Sequence, residues 1–405
     1  MERILYISYD GMTDPLGQSQ VINYLIGLRT EGYKFDILSF EKPEKFITQG
    51  EYIRNLLDEH GIQWFPQKFH YNPPVLSKIY DKFTLLRIAK ALHLKNNYAL
   101  IHCRSYPAAE VALKLKKQTG VKFLFDMRGF WPDEKAEGGH WDQKIFFWRK
   151  VYSYYKRKER EFIIAADHII SLTNAAKKEI ESRSYFKCAP LTVIPCCADA
   201  ENFLLKTEEK ATHARELLSI PQEKFVLSYL GSLGTWYMID EMLRFFAELK
   251  KKKPESLFLI ISGSDRHIVT ERLQTYGLSL NDVKIISVPF KDVAKNMYAS
   301  DVSISFIRPV YSKMASSPVK IGEILSMGIP IIANNIGDSG MFIQENNLGI
   351  MLNNITEEEI NNALRNINRI KNIDPVLIRE KALEEYSLAR GVALYKGAYR
   401  QIFQS

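Results

Sequence analysis

The sequence predicts an α/β protein built from two Rossmann-like domains. Three observations carry that prediction. The chain has 405 residues, more than one hydrophobic core usually serves. Short apolar runs alternate with helical patterns, as they do in parallel sheets. The alternation stops in a polar stretch, residues 201–223, and then starts again.

In the first half, strands are predicted at 4–8, 35–39, 100–103, 123–125, 168–172 and 192–194. A helix over about 18–31 places Val21, Leu25 and Leu28 on one face. In the second half, strands are predicted at 225–230, 257–262, 283–288, 302–306 and 329–332. The polar stretch between the sets contains Lys206-Thr207-Glu208-Glu209-Lys210 and reads as the boundary. The expected domains are therefore 1–205 and 206–380. A last helix, 381–405, is expected to cross back onto the first domain. Two such sheets imply a cleft, with ligands at the C-terminal ends of the strands.

Composition excludes several classes. With 46% hydrophobic and 25% charged residues, the chain is neither disordered nor low in complexity. The start, Met1-Glu2-Arg3 before a short apolar run, lacks the pattern of a signal peptide, and no run of about 18 apolar residues exists. A cytoplasmic protein is expected, at the inner face of the plasma membrane if its partner is lipid-linked. Cysteines stand at 103, 188, 196 and 197 without CxxC spacing, which suggests neither a zinc site nor a disulfide framework. The net charge is +8, and residues 1–200 hold 30 Lys and Arg against 23 Asp and Glu. A basic first half suits a phosphorylated lipid or membrane surface, or serves solubility alone. The excess is modest for nucleic acid, which is not expected as a partner.

The most informative segment runs from Ser316 to Ile332. Ser317 reads as an N-cap and Pro318 as the first helical residue. Ile321, Ile324 and Leu325 share a buried face, Gly328 ends the helix, and Pro330 opens a strand. Lys320 is out of place electrostatically, because a cation in the first turn opposes the helix dipole. A helix N-terminus with a lysine suits a diphosphate, and Glu323 one turn later can accept two hydrogen bonds from a ribose diol. The alternative is an ion pair on a solvated helix.

Three further segments follow predicted strands. Gly231-Ser232-Leu233-Gly234-Thr235-Trp236-Tyr237 can lay backbone N–H groups against phosphates, or form a plain turn. Asp10-Gly11-Met12-Thr13-Asp14-Pro15-Leu16-Gly17-Gln18-Ser19-Gln20 offers glycines for close approach to a ligand, or only caps the following helix. It lacks the GxGxxG pattern of a NAD enzyme. Asp126 and Arg128, spaced by two, project to one side if their strand persists, or form a structural salt bridge.

Together these segments resemble the retaining glycosyltransferases of family 4, which have the GT-B fold. Gly17 matches the family's N-terminal glycine loop. Residues 166–173 and 193–199 resemble the close of its first domain, and Ser317 through Pro330 resembles its donor-binding helix. The segment Tyr9–Gln20 resembles one bacterial branch. The resemblance implies a hexosyltransferase-like enzyme that moves a sugar from a nucleotide-sugar to a saccharide or lipid-linked acceptor in cell-surface polysaccharide synthesis. It implies retention of configuration, no cofactor and no metal.

By resemblance, Asp126, Arg128, Lys320 and Glu323 are the catalytic candidates. Gly17, Gly231, Ser232, Gly234, Thr235, Arg308, Ser316 and Ser317 are the substrate-binding ones. Three positions depart from the family pattern. Ala315 stands where a first glutamate is usual, the loop 232–237 lacks the usual Arg and Lys, and Arg128 stands where many members have His. Phosphate neutralisation then falls to Lys320, with Arg308. Rival functions are a sugar-nucleotide epimerase of the same fold and a non-catalytic nucleotide-sugar-binding partner.

Finally, residues 140–160 interleave Trp141, Phe146, Phe147 and Trp148 with Lys144, Arg149, Lys156, Arg157 and Lys158. Such a segment suits contact with an anionic membrane or a lipid-linked acceptor, or is an ordinary helix with a solvated back.

Overall fold

The computed structural model describes residues 2–187 and 189–404. Cys188 lies outside the described residues, and Cys103, Cys196 and Cys197 are buried. Contacts divide the chain into two compact units: Met1–Pro195 with Leu388–Ser405, and Cys196–Ser387.

The first unit holds strands β1 (Arg3–Ser8), β2 (Lys34–Glu41), β3 (Gln63–Lys68), β4 (Leu100–Arg104), β5 (Lys122–Asp126), β6 (His168–Ser171) and β7 (Leu191–Val193). They lie in the order β3-β2-β1-β4-β5-β6-β7, and every pair is parallel. The central strands are apolar on both faces because helices cover both sides of the sheet. Ile4, Leu5, Ile7, Ile101 and Phe123, for example, are wholly buried. The helix Leu388–Gln404 belongs to this unit. Tyr395 and Tyr399 pack edge-on against Tyr24 and Tyr33. Val392 fills the space beside Gly27, where a Cβ would come within 2.6 Å of it.

The second unit holds β8 (Phe225–Leu230), β9 (Ser256–Ile261), β10 (Val283–Ile286), β11 (Val302–Ser305), β12 (Ile331–Asn334) and β13 (Gly349–Leu352). Their order is β10-β9-β8-β11-β12-β13, again all parallel. Both sheets thus have the crossover pattern of doubly wound nucleotide-binding folds, and together they are the two Rossmann-like domains of the GT-B fold.

Four sequence expectations need correction. Two edge strands, β3 and β13, were not predicted. β3 reads Gln-Trp-Phe-Pro-Gln-Lys, and its proline is tolerated because the strand is an edge. The polar stretch 201–223, read as holding the boundary, lies wholly within the second unit. It contains the helix Glu208–Leu217, and Phe203, Ala214 and Leu218 enter the second core. The first boundary therefore falls at 195/196 instead of 205/206. Arg379 donates to the carbonyls of Phe203 and Ala200, and Lys206 N–H to that of Met327, tying residues 200–206 to the second unit.

The last helix is also two helices. Pro375–Tyr386 stays in the second unit and Leu388–Gln404 joins the first, with Ser387 extended between them (ψ 143°). The second boundary is thus 387/388 instead of 380/381. Ala198 N–H donates to Tyr386 O at 2.7 Å and holds the turn point.

Thr207 caps the unpredicted helix, its hydroxyl accepting from Lys210 N–H at 3.2 Å. Thr207→Ala is expected to cost about 1 kcal/mol of stability, the usual worth of such a cap, read as a lowered urea midpoint at unchanged slope. An unshifted midpoint would show that this helix is held by packing alone.

Candidate donor site in the second unit

The helix Val319–Ser326 is positioned from three sides. Gly322 allows close approach, since a Cβ there would come within 2.9 Å of Tyr386 Cβ. Arg379 donates to Ser326 O at the helix C-terminus, where a cation also suits the dipole. Before the helix, Ser317 Oγ accepts from Cys196 N–H at 3.1 Å. The expected cap is corrected here. Pro318 is the N-cap, with extended ψ of 116°, and no side chain caps the helix. Ser317 is spent on Cys196, so the helix N-terminus keeps donors for a ligand.

Lys320 and Glu323 are both buried, at 7% and 8% exposure. The solvated ion pair is therefore excluded. Lys320 Nζ lies 4.3 Å and 3.7 Å from the ring centroids of Tyr229 and Tyr237 and donates to Tyr229 Oη at 3.1 Å. The carboxylate of Glu323 accepts no hydrogen bond from any described residue. Burial drives the Lys320 ammonium well below the usual lysine range, with Glu323 only partly opposing. Burial likewise raises Glu323 to about 7, with Lys320 only partly opposing. Each group is costly to keep charged here without a further partner.

The loop after β8 closes over the same lysine. Gly231 has φ of +129°, and a Cβ on it would stand 3.0 Å from Lys320 Nζ. Gly234 and Thr235 also have positive φ, at 98° and 37°. The N–H groups of Ser232 and Thr235, both exposed, donate to no described residue, whereas Leu233 N–H is spent on Ser264 Oγ. Ser316 is half-buried. Arg308 joins this loop through its backbone, donating to Trp236 O at 2.8 Å, while its side chain is exposed. The sequence reading missed Lys313. It is buried, with Nζ 4.0 Å from the centroid of Trp236. It supplies a second cation next to the loop that lacks the expected Arg and Lys.

In the first unit, the candidates fall in a buried network. Asp126 ends β5 and is wholly buried, accepting from Tyr395 Oη at 2.9 Å. Burial alone would raise its carboxyl, but Arg128, His102 and Arg104 outweigh burial and hold it below the usual range. The expected strand alternation fails, because β5 stops at Asp126 and Arg128 has φ of +54°. Arg128 nonetheless returns to within 3.9 Å of Asp126 and donates to Gln20 at 3.5 Å. Asp126 thus orients its neighbours and does not itself face solvent.

Arg104 and His102, on β4, were not singled out from sequence. Arg104 is buried, with its Nε 3.7 Å from Asp10 and its Nη1 hydrogen-bonded to no described residue. Gly17 packs on backbone: a Cβ there would stand 2.1 Å from Gly11 O. The loop itself is tied by buried Glu41, which accepts from the N–H groups of Met12 and Thr13 at 2.9 and 3.0 Å.

The comparisons with known proteins agree with this architecture. Residues 17–202 match the family model described as Glycosyltransferase Family 4, and residues 224–369 match Glycosyl transferases group 1. Each unit thus matches a glycosyltransferase family model over most of its length, which supports a transferase.

Among solved structures, it is similar to the sucrose-phosphate synthase of Thermosynechococcus elongatus, at 17% identity and a TM-score of 0.71, covering 100% of each chain. It is similar to a glycosyltransferase from Rickettsia africae, at 18% identity and 0.68, covering 100% of this chain and 99% of that one. It is also similar to HepE of Anabaena, solved in complex with UDP and glucose, at 14% identity and 0.69, covering 99% and 100%. No curated protein sequence gives a significant match.

Proposed function

We propose that the chain transfers a sugar from a nucleotide-sugar to a saccharide or lipid-linked acceptor, with retention of anomeric configuration, in bacterial cell-surface polysaccharide synthesis. The observation that carries this is the pair of buried, under-partnered groups, Lys320 and Glu323, on one helix end. In this reading the diphosphate sits against the first turn of Val319–Ser326 and on Lys320. The ribose diol donates to Glu323, and the loop 231–235 lies over the phosphates. Lys320, Lys313 and the helix end stabilise the departing diphosphate electrostatically, which needs no metal. Arg128, held by Asp126, faces the sugar or acceptor. HepE, solved with UDP and glucose, supports a uridine nucleotide as the first probe.

The test is turnover. Incubation with a panel of nucleotide-sugars and acceptors should release a nucleoside diphosphate and give a glycosylated product. Formation of an epimer in its place would establish the epimerase. Binding without release would establish a non-catalytic partner.

Membrane contact through residues 140–160 is part of the same proposal. Among the described residues, no helix is long and apolar enough to cross a membrane. The structure changes which cations are free to act at a surface. Lys156 is spent on Asp133 and Glu159, and Lys158 on Glu161. Lys144, Arg149 and Lys150 are exposed and form no ion pair with a described residue, beside Ile145, Phe146 and Phe147, each about half exposed or more. Arg149→Gln is expected to weaken binding to anionic vesicles about fivefold, since a cation near such a surface is worth about 1 kcal/mol. Equal co-sedimentation of the native protein with anionic and neutral vesicles would contradict it.

A further inference from the structure

The first unit contains a pocket of about 810 Å³ outside the C-terminal ends of β1 to β4. Its walls include Tyr9, Phe69, Trp131, Trp141, Trp148 and Tyr155. The walls are braced by one another. Trp131 meets Trp141 and Tyr155 edge-on at 5.1 and 4.9 Å, and Trp141 stacks with Tyr155 at 5.5 Å. Such an aromatic box is preformed and does not need a ligand to assemble it.

Charge around the pocket is predominantly positive: five lysines line it, against Asp10 and Asp14. Three of the lysines are engaged. Lys42 pairs with Asp14, Lys82 with Glu110, and Lys78 donates to His70 O and lies over Phe69. Lys135 and Lys150 form no ion pair with any described residue.

A bare saccharide would need many hydrogen-bonding groups, yet the hydroxyls of Tyr9 and Tyr154 are already given to Asp81 and Glu110. The pocket opens through apolar residues. Val75, Ile79 and Phe147 line it and are 40%, 57% and 46% exposed. Leu76 and Phe83 extend the apolar surface along the helix Pro74–Asn96, and Phe146 along Phe146–Ala165.

We infer that this pocket binds a lipid phosphate, with the hydrocarbon on the aromatic walls and apolar mouth and the phosphate on Lys135 and Lys150. The inference rests on the glycosyltransferase reading only in making that lipid the acceptor. The surplus of unpaired cations selects the anionic head, and the exposed apolar mouth accommodates a chain longer than the pocket.

Three pocket residues are tryptophans, so binding is read directly from intrinsic fluorescence of the whole protein. Dodecyl phosphate, kept monomeric below its micelle concentration, is expected to give a saturable change. Dodecanol should bind about tenfold more weakly, and inorganic phosphate should neither bind nor compete at similar concentration. Lys135→Gln with Lys150→Gln should bring dodecyl phosphate down to the affinity of dodecanol, leaving dodecanol binding unchanged.

Equal affinity for the alcohol and the phosphate would overturn the inference, and so would competition by inorganic phosphate alone. UDP binding, measured in parallel, separates the two claims. If UDP binds and dodecyl phosphate does not, the pocket inference fails and the donor site stands. If dodecyl phosphate binds and UDP does not, the reverse holds.

Discussion

Lys320→Met is expected to weaken UDP binding by one to two powers of ten while leaving the empty protein at least as stable. The side chain sits between the rings of Tyr229 and Tyr237 with its ammonium on a single tyrosine hydroxyl. Methionine keeps most of the apolar stem and its contacts with both rings, so no large cavity opens. What disappears is the cation. A charge-assisted contact to a phosphate is worth roughly 1.5–3 kcal/mol, which sets the loss of affinity. Meanwhile the empty protein no longer buries an ammonium that its surroundings disfavour. Calorimetric titration with UDP and a thermal melt measure both halves. Unchanged affinity, or a fall in melting temperature with unchanged affinity, would make Lys320 a packing residue.

Glu323→Gln is expected to raise the stability of the empty protein at neutral pH and to weaken UDP binding. The sign follows from proton linkage. The native carboxyl titrates at about 7, above the ordinary glutamate value of 4.5, so the folded state holds the proton more tightly than the unfolded one. Stability from this group is full below pH 4.5 and is lost as the pH rises through about 7. Glutamine imitates the protonated form and loses nothing. The variant's advantage should therefore be near zero at pH 4, grow up to about pH 7, and level off on the order of 3 kcal/mol. In the proposed donor site UDP is expected to reverse the balance, because the ribose diol would donate to the ionised carboxylate. Urea unfolding of both proteins from pH 4 to 8 checks the curve. A pH-independent difference would show that Glu323 is not titrating against burial.

Much of this was legible in the sequence. Most strands were visible as apolar runs, because buried parallel strands have no polar face. The helix Val319–Ser326 was visible through Pro318, the apolar spacing of Ile321, Ile324 and Leu325, and Gly328. The glycine loop at 231–234 lies where strand and helix signals bracket it. What was not legible depends on contacts distant in sequence. β3 and β13 are edges with weak patterns, and Thr207–Leu217 read as part of the boundary because its charges hide a few core residues. Asp126 is met by Tyr395 from helix 388–404 and by His102 from β4, both distant in sequence, so no local pattern reveals that it is buried. The pairing of Lys156 with Asp133 likewise removed a cation that the sequence placed on the surface. Lys313 was overlooked because nothing in its neighbours marks it as buried over Trp236.

The central claim is that one helix end in the second unit holds the diphosphate and ribose of the donor. A crystal structure of the protein with UDP tests it most directly. The account predicts diphosphate oxygens within hydrogen-bond reach of Lys320 Nζ and of the first N–H groups of the helix Val319–Ser326, with the ribose hydroxyls on Glu323. UDP bound elsewhere, with Lys320 still donating to Tyr229 and the Glu323 carboxylate still without a partner, would contradict it.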